Sequence, residues 1–395
     1  MGRSTENVWL HRFAFVLAVL TLLMVALGGV VTTKGVGMSV PDWPTTYGEH
    51  LFLFPFSKWI GGVFFEHSHR LWGYLVGFFS AVLAIWTWAR DTKGRERWVG
   101  ISAMILAGAL MGYHKPWMLV SVAAVSMFAA IWAGVNAMRQ PSHQLRWLGV
   151  IILAGVIVQG VIGGLRVLLD EKWGTEFGVF HATIAQLFLL LAGSIVLITS
   201  DWWAKASRMF HGGALRRFVF ATTLLILLQL IFGATMRHQH AGLAVPDLPL
   251  AYGKLWPATD ASSVAAYNSH RIEAAGENPI SAGHIVIHML HRYTGVLIAA
   301  LVIVCATMMF RRGGTVQRRF ATAWIALVLL QVTLGILTIT SERKVDVTTT
   351  HVAVGALTFL IGWISFLVSS RNAVESEAIA ANELLSPKGA ELEHA

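Results

Sequence analysis

Runs of about 20 apolar residues, the length that crosses a bilayer as one α-helix, recur along this chain from Phe13 to Ser370. Backbone inside hydrocarbon must satisfy its own hydrogen bonds, so a chain with this pattern folds as a bundle of spanning helices. Composition agrees: 55% of the 395 residues are hydrophobic and only 13% charged, too little polar surface to coat a soluble globule of this size. The expected class is therefore an all-α, polytopic membrane protein. The spans read near Phe13–Val31, Leu71–Ala89, Trp98–Gly112, Met118–Val135, Leu148–Val167, Phe180–Thr199, Phe218–Met236, His288–Phe310, Ala321–Ile339 and Thr349–Ser369. The third is short and stops at Tyr113–Pro116, which leaves a re-entrant or hairpin pair as an alternative there. The first run is too long for a signal-peptide core and no soluble domain follows it, so it is read as a spanning helix.

The net charge of +9 does not point to nucleic acid, because the basic residues fall in short clusters between the apolar runs. Arg90, Arg95, Arg97, Arg139, Arg146, Arg208, Arg216, Arg311 and Arg319 all come to one side if the N-terminus is inside. That side is expected to be the cytoplasm, with both termini on it. The opposite loops carry most of the acids, Asp42, Asp170, Glu171, Asp247 and Glu273 among them. The single cysteine, Cys305, lies within an apolar run, so the chain forms no internal disulfide and no thiolate metal cluster.

An internal repeat organises the chain. Gly37-Met-Ser-Val-Pro-Asp-Trp-Pro-Thr-Thr-Tyr-Gly48 is echoed by Gly242-Leu-Ala-Val-Pro-Asp-Leu-Pro-Leu-Ala-Tyr-Gly253. In the same order, His69-Arg70 is matched by His291-Arg292, Gln159 and Gly163 by Gln331 and Gly335, and His181 by His351. Two four-helix bundles follow, related by a pseudo-twofold axis along the membrane normal because an even helix count gives both copies one orientation. Residues 1–200 form the first half, with an inserted helical pair at 98–137, and residues 201–371 the second. Residues 372–395 read as a polar tail, frayed or mobile.

Four of the repeated residues are His69, His181, His291 and His351, each near the outer start of a helix running inward. Ionisable groups in a membrane are costly without a partner, and neutral imidazole is an axial ligand for haem iron, so two per copy suit one six-coordinate iron in each half. Structural hydrogen bonding between helices is the plainer alternative for any one of them. Arg70 and Arg292 follow a proposed ligand directly and can meet haem propionates, or simply snorkel to the headgroups. Glu66 lies one turn before His69 on the same helical face, and the second copy has His288 there instead. That asymmetry suggests one haem that is transformed and one that is permanent, with Glu66 shuttling a proton or stabilising charge. An exposed loop acid is the plainer alternative. The Pro41–Gly48 and Pro246–Gly253 loops suit rigid caps over the two outer mouths, or interfacial anchors. Gln159, Gly163, Gln331 and Gly335 are expected to permit close helix approach, and His67, His114, His238, His240 and His284 to be solvated.

These residues resemble the heme A synthase family, whose pattern includes a Pro-Asp-Trp-Pro outer loop, a Glu-x-x-His-Arg helix start and His-x-x-His-Arg in the second half. The likeness covers Phe13 to about Ala89 and Leu148 to Ser369. It implies an oxidoreductase that converts a methyl group of haem O to formyl by successive hydroxylation and loss of water. By position, His291 and His351 would ligate a haem b cofactor, and His69 and His181 would flank substrate haem O with Glu66 as catalytic acid. Arg70 and Arg292 would take propionates, His288 would be secondary, and electrons would pass between the haems. The resemblance further implies the inner cell membrane, heme O synthase and cytochrome c oxidase assembly as partners, and leaves oligomerisation open. Two features depart from it. The first outer loop has no cysteine pair around Val40 to relay reducing equivalents, and residues 98–137 lie outside the eight-helix pattern. A di-haem b electron-transfer cytochrome and a histidine-relay transporter remain the competing classes.

Overall fold

A computed structural model describes residues 6–113, 115–205, 213–271 and 279–384. His114, Arg208 and Glu273 lie outside the described residues. The twelve helices among them are α1 (Glu6–Thr33), α2 (Gly61–Asp91), α3 (Gly94–Leu110), α4 (Pro116–Arg139), α5 (Gln144–Leu168), α6 (Asp170–Thr199), α7 (Asp201–Lys205), α8 (Gly213–His238), α9 (Ala261–His270), α10 (Ala282–Arg312), α11 (Thr315–Thr340) and α12 (Val345–Leu384). No strand occurs among the described residues beyond two isolated bridges. Nine helices there are long and apolar enough to cross a bilayer, and the chain is a multi-pass, all-α membrane protein.

The expectation of ten spans differs at α3. It has 17 residues and a polar first turn, Gly94-Arg-Glu-Arg97, so its apolar part falls short of the other helices. Gly112 and Pro116 then break the chain, and Pro116 opens α4 at the position where a missing N–H costs nothing. The tail also differs from expectation: α12 runs unbroken to Leu384. Its Ala- and Glu-rich stretch from 373 to 384 has high helix propensity, and residues beyond 384 lie outside the description.

Helices α1, α2, α5 and α6 pack in a ring, each on the next, and so do α8, α10, α11 and α12. Leu10, Leu17, Leu83, Ile152 and Ile195 fill the first ring, and Val219, Val302, Met309 and Trp324 the second. The seam between rings runs through α1, α6 and α12, where Val25, Leu189 and Ala356 meet. Trp363 Nε1 donates to Ser194 Oγ across it at 2.9 Å. The pair α3 and α4 is not peripheral decoration: Met104 and Ala133 join Ala84, Trp147, Leu153 and Ile157 in one buried cluster, so the insertion extends the flank of α2 and α5.

The repeated loops share one fold. Asp42 accepts from the backbone N–H of Tyr47 at 2.7 Å and Gly48 at 2.8 Å, and Asp247 accepts from Tyr252 at 2.8 Å and Gly253 at 3.1 Å. The hydroxyl of Tyr47 donates to the carbonyl of Ser39, and that of Tyr252 to Ala244. Tyr47 and Tyr252 sit at φ 51° and 50°, and each is followed by a glycine at φ 76° or 73°. Burial pushes the Asp42 carboxyl up, but hydrogen bonds from Gly48, Thr45 and Tyr47 and the charge of Arg70 outweigh it, leaving Asp42 below its ordinary 3.8. A depressed carboxylate stabilises the fold above its unfolded pKa, and that contribution disappears as pH falls through the folded value. Removing the acceptor in Asp42→Ala should cost about 1–3 kcal/mol. Thermal unfolding in detergent should show the wild type losing stability below about pH 4 more steeply than Asp42→Asn; parallel pH profiles would refute the assignment.

Candidate functional site

Between the helices of the first ring lies a cavity of ≈ 840 Å³, within the roughly 300–1,000 Å³ that cofactor and ligand pockets occupy. His69 from α2 and His181 from α6 both line it. Each imidazole leaves its Nδ1 buried without a hydrogen-bond partner, a cost that neutral histidine bears where another ligand or function requires it. The sequence repeat has a physical counterpart behind these rings. A methyl group on Gly28 would lie 3.3 Å from His69 Cε1 and one on Gly163 would lie 2.8 Å from His181 Cε1. In the second ring Gly233 and Gly335 back His291 and His351 in the same way, at 3.2 and 3.3 Å. Every one of the four imidazoles is thus seated against a glycine on the neighbouring helix. Gly163→Ala must displace His181 and should destabilise by about 1–3 kcal/mol as overpacking does, with Gly28→Ala costing less. Equal melting temperatures for the two variants would contradict the seating.

His291 and His351 lie edge to face, with ring centroids 6.5 Å apart and planes at 65°. With metal–nitrogen bonds of about 2.0–2.1 Å, two imidazoles gripping one ion have centroids roughly this far apart. Both also leave Nδ1 buried and unpartnered. Gln331 Nε2 lies 3.4 Å from His351 Nε2, and Gln229 Nε2 donates to the carbonyl of His291 at 2.8 Å. Among the described residues no group of three or more histidine, cysteine or acidic side chains converges as a bare-metal site would require. The donor set offered is two neighbouring imidazoles, which fits a macrocycle that supplies the other ligands itself.

Glu66 is not a loop acid. It lies inside α2, only 4% exposed, and lines the cavity. Its Oε2 accepts from the backbone N–H of Val40 at 2.7 Å and its Oε1 from Arg70 at 2.7 Å. In the second ring His288, 2% exposed, takes over the same duty, its Nδ1 accepting from the N–H of Val245 at 3.3 Å. Arg70 and Arg292 clamp the loops onto the helices. Arg70 donates to the carbonyls of Val40, Asp42 and Thr45, and Arg292 to those of Val245 and Leu250. The terminal nitrogens of both arginines, expected toward propionates, are therefore directed to backbone carbonyls, because the loop brings its acceptors within reach first. Arg292 keeps only Nε buried and unpartnered.

Two other guanidiniums face the cavity, and sequence reading did not single them out. Arg166, at the end of α5, leaves Nε buried without a partner, and Arg237, at the end of α8, leaves both Nε and Nη1 so. Neither forms an ion pair among the described residues. Arg237 belongs to the second half yet lines the cavity of the first, because α8 crosses α6 where Gly178 lets His238 approach. His238, expected in solvent, is half-buried there, and His67 is fully buried, 3.1 Å from Thr46 Oγ1 and enclosed by Phe54 and Trp59. The loop that folds down over α2 accounts for its burial. Trp43 roofs the cavity by lying flat against Gly164, where a methyl group would fall 2.1 Å from the indole.

Comparison with known proteins finds matches along most of the chain. A family model described as "Cytochrome oxidase assembly protein" matches residues 11–123 and 113–362. The chain is 24% identical over 286 residues to the heme A synthase of Staphylococcus haemolyticus, covering 70% of this chain and 86% of that one. It is 25% identical over 380 residues to the heme A synthase of Lysinibacillus sphaericus, covering 93% of this chain and 97% of that one. To the heme A synthase of Staphylococcus carnosus it is 21% identical over 286 residues, 70% of this chain and 84% of the relative.

Proposed function

Because the chain belongs to the cytochrome oxidase assembly protein family, whose model covers most of its length, we propose that it acts as a heme A synthase, oxidising a methyl group of haem O to formyl. The observation that carries this reading is the convergence of His69, His181 and Glu66 on one large cavity whose other charged groups include two guanidiniums, Arg166 and Arg237, that form no ion pair among the described residues and leave buried nitrogens unpartnered. A ligand for that space needs a broad apolar body, a centre that takes imidazole, and anionic groups at one end. Haem O has all three. Bound haem iron supplies the one-electron and oxygen chemistry that side chains lack.

In this reading the protein's own groups divide the work. His69 and His181 hold the substrate ring between α2 and α6. Arg166 and Arg237, rather than Arg70, take its propionates as charge-assisted pairs. Glu66, fixed by Val40 and Arg70, presents a carboxylate whose oxygens accept or return a proton at the reacting carbon. Trp43 and the roof loop exclude water from that point. In the second ring His291 and His351 hold a resident haem b, with Gln331 and His288 beside it. Residues up to about 200 and from 201 to 371 then form a substrate half and a cofactor half related by a twofold along the membrane normal. Both termini lie in the cytoplasm at the cell membrane in this reading, which the basic loops support, and the source of haem O and cytochrome c oxidase assembly are the partners.

Extracting and chromatographing the haems of purified protein tests the proposal. Haem b together with haem O or haem A supports it. Two equivalents of haem b and no modified haem would instead mark an electron-transfer cytochrome, and colourless protein would remove haem altogether.

A further inference from the structure

The cavity is longer than a ring held by two imidazoles requires. From His69 it follows α2 inward past Gly77 and Phe78 to Ala81, about 18 Å of helical rise. The charged groups Glu66, Arg70, Arg166 and Arg237, with His238, gather at its outer end, whereas Phe78, Ala81, Leu153 and Ile157 line the inner arm. One wall of that arm is supplied by the inserted segment, through Gly108 of α3 and the adjoining Met111. Methyl groups built on Gly77 or Gly108 would meet nothing within 4 Å, so both glycines border open space. Phe78 is 64% exposed although it lines the cavity, and Gly108 is likewise exposed. The arm therefore opens sideways between α2 and α3, into hydrocarbon.

Resting on the reading of the site given above, we propose that this lateral arm is a subsite for the isoprenoid chain of the substrate haem, and that Gly77 on α2 and Gly108 on the inserted α3 set the specificity for a tailed over a tailless ring. The charge distribution selects the occupant. An amphiphile entering here must carry anionic groups at one end and a long apolar chain at the other, with a flat body between them. Haem O carries carboxylates on one edge of its ring and an isoprenoid chain on another. Haem b shares the carboxylates and lacks the chain. A chain lying between α2 and α3 also lets the substrate enter from the bilayer, without passing beneath the loop clamped by Arg70. The insertion at residues 98–137 then has a task in the reaction: it turns an open groove on α2 and α5 into a channel with two walls.

The test is an optical titration of the full-length protein in detergent with haem O and, separately, with haem b, for the wild type, Gly108→Trp and Gly77→Leu. The added side chains enter open space, so the variants should elute and melt as the wild type does. The expected result is that the wild type prefers haem O by tenfold or more, and that each variant loses that preference through weaker haem O binding alone. If Gly108→Trp and Gly77→Leu bind haem O as tightly as the wild type, or lose both haems equally, the subsite is wrong and the ring site stands. Equal affinity of the wild type for both haems, as when a lipid acyl chain fills the arm, also overturns it. If the wild type takes up neither haem at this site, the reading of His69 and His181 falls with it.

Discussion

Membranes carrying Glu66→His should make haem A at a rate lower by about 10²–10⁴-fold, the usual worth of a positioned acid or base, while the protein folds as before. The choice of histidine follows from the second ring, where His288 already accepts the loop N–H that Glu66 accepts in the first. Glu66→Ala is a poorer probe. It strands the Val40 N–H and breaks the ion pair of Arg70, and an uncompensated buried charge costs about 3–5 kcal/mol. Histidine keeps the acceptor and removes the carboxylate, and Arg292 indicates that the arginine clamp forms on carbonyls alone. Haem A content by chromatography, set beside the melting temperature, separates the two effects. Undiminished haem A with Glu66→His would remove Glu66 from the chemistry.

Loss of either imidazole in the second ring should empty it. In His351→Ala and His291→Ala, bound haem b should fall by at least about 10–100-fold, since losing even the group that supports a metal ligand costs that much. Among the described residues no third histidine, cysteine or acidic side chain joins these two rings to form a metal site. Haem A formation should cease with it, although the first cavity is untouched. His69→Ala should show the reverse pattern, retaining haem b and losing substrate haem. The pyridine haemochrome content of each purified variant measures this directly. A His351→Ala protein with a full complement of haem b would overturn the assignment of the second pair.

Much of this architecture was legible in the sequence because its signals are local. Apolar runs set the helices, and the loop echo from Pro41 to Gly48 foretold two roofs of one design. The four histidines stood out because imidazole in an apolar run is unusual. What was hidden depended on packing. Arg166 and Arg237 end apolar helices, where an arginine ordinarily reads as an orientation signal, and only the crossing of α8 over α6 brings Arg237 into the other half's cavity. Arg70 and Arg292 were read from their place beside a histidine, but the acceptors they found were carbonyls some 20 to 50 residues away in sequence. His67 looked like a loop residue because nothing in its neighbourhood announces that Thr46, Phe54 and Trp59 fold down over it. The wall that Gly108 and Met111 provide was likewise invisible, since glycine and methionine in an apolar run carry no sign of what they face.

The interchange of Glu66 and His288 bears on how such a molecule comes to have two unlike centres. A tandem duplication yields twins, and specialising one of them normally endangers the fold that both inherit. Here one position at which the twins differ in chemistry makes the same contact in both, a lone pair aimed at the amide of the roof loop. Carboxylate and imidazole both meet that demand. The loop contact therefore does not by itself fix the reactivity of the side chain that makes it.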